Sequence, residues 1–320
     1  MARGAPVEPT PARSRRGAHR ARRSRSTGQK LFPVIGLVGL TAALTVTATF
    51  VVPAQARGER VTHRRKNAQV TKAAATSAAP NPLATPEITR YLAGQPGTIA
   101  AGLYDIDNGE TYVYHPTDAE TTASVIKVDI LATMLYQSQR SGQSLTGADQ
   151  QLATLMIENS DDNAAQELWD QVGANVGVGA FDQVAGLTHT TLNTQGLWGL
   201  STTTVLDQIK VLRQVVQSQS LLTAASRQYE LGLMENVEAD QRWGVAFGLP
   251  AGVTIAIKDG WDPLDDGTIW QVNTEGWVDG DGRDYVLVIL TEGESTEYVG
   301  IQTVDHLSDL IWAELAPPPP

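Results

Sequence analysis

The chain contains no cysteine. That excludes disulfides, zinc-thiolate sites, thiol nucleophiles and a lipid-modified N-terminal cysteine, so any nucleophile here is not sulfur. Positive charge is scarce where most of the chain lies: residues 81–320 hold 9 Lys and Arg against 33 Asp and Glu, while residues 1–80 hold 15 against 2. A body this acidic repels phosphate backbones and anionic lipid, which argues against nucleic acid as a partner of the folded part. No G-x-S-x-G elbow, phosphate loop or dinucleotide fingerprint occurs, and no cofactor is expected. His115, His189 and His306 fall in three different elements without ligand spacing, so no metal is expected either. What remains is 320 residues, 42% hydrophobic and 18% charged, enough for an enzyme-sized core and something extra.

The extra part stands at the N-terminus. Residues 1–30 are a basic region, and Leu31 to Val52 form an apolar run with no charge, long enough to cross a bilayer. Ala54-Gln55-Ala56 follows with the small-x-small pattern of a signal-peptidase site, so residues 31–56 read as a cleaved signal peptide or a retained transmembrane anchor. Nine Lys and Arg precede the run and six follow it between Arg57 and Lys72, which favours a cytoplasmic N-terminus and an exported body, at the outer face of the cytoplasmic membrane or secreted into the cell wall. Residues 57–84 are Arg, Lys, Ala, Thr, Ser and Pro with almost no large apolar side chain and read as a disordered linker. Pro317 to Pro320 form a short extended tail. Oligomeric state is not legible.

A folded domain over residues 85–316 is expected. Thr85-Pro86-Glu87 supplies an N-cap, a first-turn proline and an acid that complements the helix dipole. Gly97 to Tyr104 and Glu110 to His115 read as strands joined around Asn108-Gly109, a hairpin signal. From about Val125 to Gly248 apolar residues recur at helical spacing. Gly252 to Lys258, Thr268 to Val278 and Arg283 to Leu290 then read as three strands before an amphipathic helix carrying Ile301, Val304, Leu307 and Ile311. This order suggests one sheet completed by both ends of the domain, with a helical lobe inserted between them.

Of the six lysines, Lys127 alone has a serine three positions earlier, Ser124, where the hairpin region gives way to a helix. At helical spacing the two share a face, putting a base beside a nucleophile. Farther on, Glu158-Asn159-Ser160-Asp161-Asp162-Asn163 interrupts two helical stretches, and Lys258-Asp259-Gly260 ends a predicted strand, where alternate side chains can face a cleft. Trp198-Gly199-Leu200 reads as a turn packed beneath that cleft, although Trp198 and Trp261 are also candidates to line it.

The ordered set S-x-x-K, Ser-Asp and K-x-G behind an export segment resembles the penicillin-recognising serine enzymes, in particular the class A β-lactamase-like hydrolases. The resemblance spans roughly residues 85–316. It implies an α/β fold of the α+β kind: a five-stranded antiparallel sheet flanked by N- and C-terminal helices, an inserted all-α lobe, and an active site between them. It further implies that Ser124 is the acylated nucleophile, Lys127 its base, Ser160 a proton shuttle and Lys258 a cationic anchor. Gly260 would admit the substrate, and the backbone N–H groups of Ser124 and Trp261 would form the oxyanion hole.

Three departures concern acids. Asp162 stands where the family has an amide donor, and Asp259 where it has a hydroxyl residue; both are expected at substrate-binding positions. Residues 183–206 contain no Asp or Glu, although the deacylating glutamate of class A enzymes comes from the corresponding loop. An exported serine acyl-transfer hydrolase acting on an amide, peptide or ester of the envelope is the expected function. The alternatives are a class A β-lactamase and a non-catalytic peptidoglycan-associated protein that retains the fold.

Overall fold

The computed structural model describes residues 80–264 and 267–315, all within the second of the two units into which the chain divides, residues 74–320. The expected basic region and membrane or signal segment, most of the linker, and the proline tail lie outside the described residues. Among those described, no helix is long and apolar enough to cross a membrane.

Packing begins before Thr85. The Asn81 side chain accepts from Leu83 N–H at 2.9 Å and starts a 3-10 turn, Pro82–Ala84, whose Leu83 is buried. A linker running through residue 84 therefore reaches too far, because one leucine in an otherwise small-residue stretch suffices to anchor it. Helix α1, Pro86–Ala93, opens as expected with Thr85 Oγ1 accepting from Ile88 N–H.

Strands β1, Thr98–Asp105, and β2, Thr111–Tyr114, pair antiparallel across the Asn108-Gly109 loop. After them come β3, Glu120–Thr121, and the helices α2, Ile126–Ser141, α3, Gly147–Glu158, α4, Asp162–Gln171, and α5, Ala174–Ala185. Then β4, Thr202–Thr203, leads into α6, Val205–Val216, and α7, Ala224–Glu235. The chain closes with β5, Thr254–Leu264, β6, Ile269–Gly280, β7, Arg283–Glu292, and α8, Glu297–Glu314. The five-stranded sheet has the order β2-β1-β7-β6-β5 and is antiparallel throughout, so both ends of the domain complete it.

The central strand β7 carries Tyr285-Val286-Leu287-Val288-Ile289-Leu290, all buried, because helices cover both faces: α8 on one, α6 and α7 on the other. β5 outruns its predicted end at Lys258 by six residues, pairing with β6 as far as Leu264–Ile269. It is an edge strand, so alternate backbone groups point away from the sheet. A feature not visible in the sequence is the two-stranded ribbon β3–β4, with Glu120 opposite Thr203 and Thr121 opposite Thr202. Two residues are too few for a periodicity signal, yet this ribbon ties the segment leading into Ser124 to the segment following Trp198.

Candidate active site

Ser124 lies in a 3-10 turn, Ala123–Val125, that runs directly into α2. Ala123 holds φ at 46° and Ser160 at 54°, left-handed values that cost a non-glycine residue on the order of 1–3 kcal/mol and are kept where the surroundings over-determine them. The surroundings here are explicit. Thr122 N–H donates to Ser201 O at 2.8 Å and Thr122 Oγ1 to Gly199 O at 3.2 Å. Asn273 Nδ2 of β6 donates to Thr121 O at 2.8 Å and Thr122 O at 3.1 Å. The half-buried Ser124 is thus presented from a turn clamped on two sides.

Lys127 and Lys258 are both fully buried, and their amines converge on one hydroxyl: Lys127 Nζ lies 3.1 Å and Lys258 Nζ 3.0 Å from Ser160 Oγ. Lys127 Nζ also donates to Ser160 O at 2.6 Å and to Asp162 Oδ1 at 2.7 Å. The amine therefore has an acceptor for each of its three protons, the arrangement of an ammonium ion. No hydrogen bond among the described residues engages Ser124 Oγ, so the expected serine–lysine pair shares its turn of helix without being hydrogen-bonded in this state. The Asp162 carboxylate holds the amine instead, since Asp161 caps α4 through Ala164 N–H at 2.7 Å and leaves Asp162 as the first residue of that helix, where the dipole favours an anion.

The electrostatics of Lys127 are contested. Burial pushes its amine below the ordinary lysine value, while the Asp162 hydrogen bond and charge, and then Asp161, hold it up. The Trp198 ring, centred 4.9 Å from Nζ, also favours the cation. Lys258 is pushed down to about 7 by burial and the neighbouring Lys127 cation, against Asp259, Glu275 and Asp162.

Gly260 permits the close approach on which the groove depends. A β-carbon there would lie 2.7 Å from Ser124 N and 2.9 Å from Val125 N, both backbone atoms. Gly260→Ala is expected to pry β5 from the head of α2, costing about 1–3 kcal/mol of stability as overpacked sites do. It should also abolish covalent labelling of Ser124 under conditions where the wild type is labelled; unchanged melting and labelling would refute this reading of the contact.

Asp259 does not face the groove. It lies opposite Thr274 of β6, whereas Lys258 lies opposite Glu275, and side chains alternate faces along a strand. Asp259 is fully buried on the α8 side, where it accepts from Trp243 N–H at 3.3 Å and burial pushes its carboxyl well above the usual range. Trp261, on the same side, packs against Trp243 with ring centroids 6.1 Å apart. Of the expected site residues, Ser124, Lys127, Ser160, Asp162, Lys258 and Gly260 come together, Trp261 stands at the end of the motif, and Asp259 is elsewhere. Trp198, expected chiefly to pack beneath the cleft, covers Lys127 with its ring. Asp262, two residues beyond Gly260 and not among the expected site residues, falls on the groove side by the strand alternation that continues past Lys258.

The fold recurs in known proteins. Over 232 residues the chain is 27% identical to "Putative lipoprotein LppW" of Mycobacterium bovis and of Mycobacterium tuberculosis, covering 69% of this chain and 73% of the relative. A class A beta-lactamase from Bacteroides cellulosilyticus superposes with a TM-score of 0.63 at 18% identity, covering 72% of this chain and 95% of that one. The L158E mutant of PBP-A, solved as an acyl-enzyme complex with penicillin G, superposes with a TM-score of 0.61 at 21% identity, covering 71% of this chain and 94% of that one. Residues 149–315, more than half of the chain, match the model of the beta-lactamase enzyme family. With the sheet order, the inserted helical lobe and the two lysines meeting at Ser160, that match makes this chain a member of the beta-lactamase enzyme family.

Proposed function

We propose that the protein is an exported serine acyl-transfer hydrolase that forms an acyl-enzyme at Ser124 on an amide, peptide or ester of the cell envelope. One observation carries the reading: two buried lysine amines share the Ser160 hydroxyl beside the turn that bears Ser124. Two buried like charges at such a distance are unfavourable, so at least one amine gives up its proton readily. In the reaction Ser124 Oγ attacks the carbonyl carbon while its proton passes to a neutral Lys127 amine. The N–H groups of Ser124 and Trp261 receive the developing oxyanion, worth roughly 3 kcal/mol of barrier per donor in enzymes of this type. Ser160 then relays the proton from Lys127 to the leaving group as the carbonyl–heteroatom bond breaks, and water resolves the acyl-serine. Lys258 supplies the positive potential that steadies these charges.

Likeness to a lipoprotein of mycobacteria supports a place in the envelope. This chain has no cysteine to carry a lipid, so residues 31–56 are the proposed means of export or anchorage. Efficient β-lactam hydrolysis is disfavoured because residues 183–206 lack a carboxylate and Trp198 covers Lys127 from that loop. The Lys127–Asp162 ion pair favours a second reading, a peptidoglycan-binding protein that has lost the chemistry. Incubation with a fluorescent penicillin and a fluorophosphonate, followed by adduct mapping, separates the two. Label on Ser124 is expected from at least one reagent; failure of both, together with peptidoglycan retention that survives Ser124→Ala, would establish the binding protein.

A further inference from the structure

The mouth of the groove carries a charge pattern that neither the fold nor the acyl chemistry requires. Lys258, Gly260 and Asp262 alternate along β5 and face the same side, so Asp262 lies about 7 Å along the strand edge from the glycine that backs Ser124. Its carboxyl is half-buried, and burial and then the neighbouring Asp162 carboxylate push it above the usual range, which ties the two acids to one mouth. Directly opposite Asp262 on β6 is Gln271, fully buried with neither amide atom hydrogen-bonded. A buried primary amide without partners beside a half-buried carboxylate is an unfilled polar position. The two lysines of the groove, Lys127 and Lys258, are both buried and committed to Ser160. Among the described residues no salt bridge reaches Asp262.

We propose that Asp262, with Gln271 beside it and Asp162 facing it, is a specificity position selecting acyl substrates that carry a primary ammonium or guanidinium about one residue step from the scissile carbonyl. The inference rests on acyl transfer at Ser124 and names its substrate class: a cationic peptide or amide laid along the edge of β5. An anionic group at the same place would meet two carboxylates within an already acidic body. A cationic substrate has a second effect. Its charge competes with Lys127 for Asp162 and so loosens the ion pair that keeps the base protonated, coupling recognition to activation.

Three activated esters of one acyl skeleton, ending in an amine, an acetylated amine or a carboxylate, test this on the full chain. The expected order of kcat/KM is cationic, neutral, anionic, with about a tenfold preference of the first over the second, carried mainly by KM and falling as salt is raised. In Asp262→Asn that ratio is expected to fall to within twofold of unity. A ratio unaltered by Asp262→Asn, or a preference for the carboxylate ester, overturns the proposal. Should no ester acylate Ser124, the acyl-transfer reading fails on its own account. Equilibrium binding of the corresponding non-hydrolysable amine and acetylated amides to the wild type and to Asp262→Asn then decides the charge preference by the same ratio.

Discussion

Asp162→Asn raises the rate of Ser124 acylation at neutral pH by about tenfold or more. The carboxylate accepts from Lys127 Nζ at 2.7 Å and stabilises the ammonium; an asparagine has no charge with which to do so. A neighbouring opposite charge is worth about one to three pKa steps on the usual scale. Because the Asp162 side chain is 77% exposed, solvent screening places the effect at the lower end. Removing the charge lowers the Lys127 value further below that of a free lysine, in the direction burial already drives it. The neutral amine, the form that accepts the serine proton, then exists at lower pH. The acidic limb of the pH–kcat/KM profile is expected to move down by about one pH unit, and rates well below that limb to rise about tenfold for each unit moved. A profile whose limb stays put, or acylation that slows, means that Asp162 acts by positioning rather than by charge.

The second large effect is on stability, and its sign is opposite to that of most salt-bridged proteins. Asp129, Glu230 and Glu275 are fully buried between α2, α7 and β6, and none of their carboxyl oxygens appears with a hydrogen-bond partner of ordinary geometry. Burial pushes all three well above the usual carboxylate range; the charge of Asp182 adds to it at Asp129, and that of Asp129 adds to it at Glu230 and Glu275. Asp182 and Glu120 are each raised to about 7, in both cases chiefly by burial. An acid whose folded value lies above its unfolded one stabilises the fold fully below the unfolded value, and that contribution is lost as pH rises through the folded value. The domain is therefore most stable near pH 4 and weakens up to about pH 7; the change at Asp182 alone, from 3.8 to about 7, is worth on the order of 4 kcal/mol. Lys258, lowered to about 7, works the other way between 7 and its unfolded value near 10.4, so the decline slackens at alkaline pH. Chemical denaturation from pH 4 to 8 reads the curve directly, and a steady rise over that range would overturn the assignment. Glu230→Gln, which keeps the shape and removes the titration, is expected to raise Tm at pH 8 by roughly 5 °C or more and to do little at pH 4.5.

These two groups of acids owe their surroundings to tertiary packing. Asp129 and Glu230 lie on helical segments, where an acid ordinarily faces solvent; packing of α2 among the other helices and of α7 against β5 turns them inward. Asp259 was assigned to the groove by its place in the motif, yet β-pairing with Thr274 sends it to the α8 side. Asp262 reaches the site because β5 continues past Lys258, and Trp198 because its loop folds over Lys127. The β3–β4 ribbon, which clamps the turn around Ser124, is shorter than any pattern can register.

Much else follows from local chemistry. The Thr85 cap, the β-rich runs of β1, β6 and β7, the hairpin at Asn108-Gly109 and the i, i+3 spacing of Ser124 and Lys127 are set by interactions spanning a few residues, and the order of elements then leaves few ways to close one sheet. What neighbours along the chain could not specify is the partner of each charged group. Lys127 meets Asp162 across 35 residues and Lys258 meets Ser160 across 98. Whether an amine is a base or a paired cation depends on burial and on charges brought near it by folding, and neither quantity is a property of local sequence.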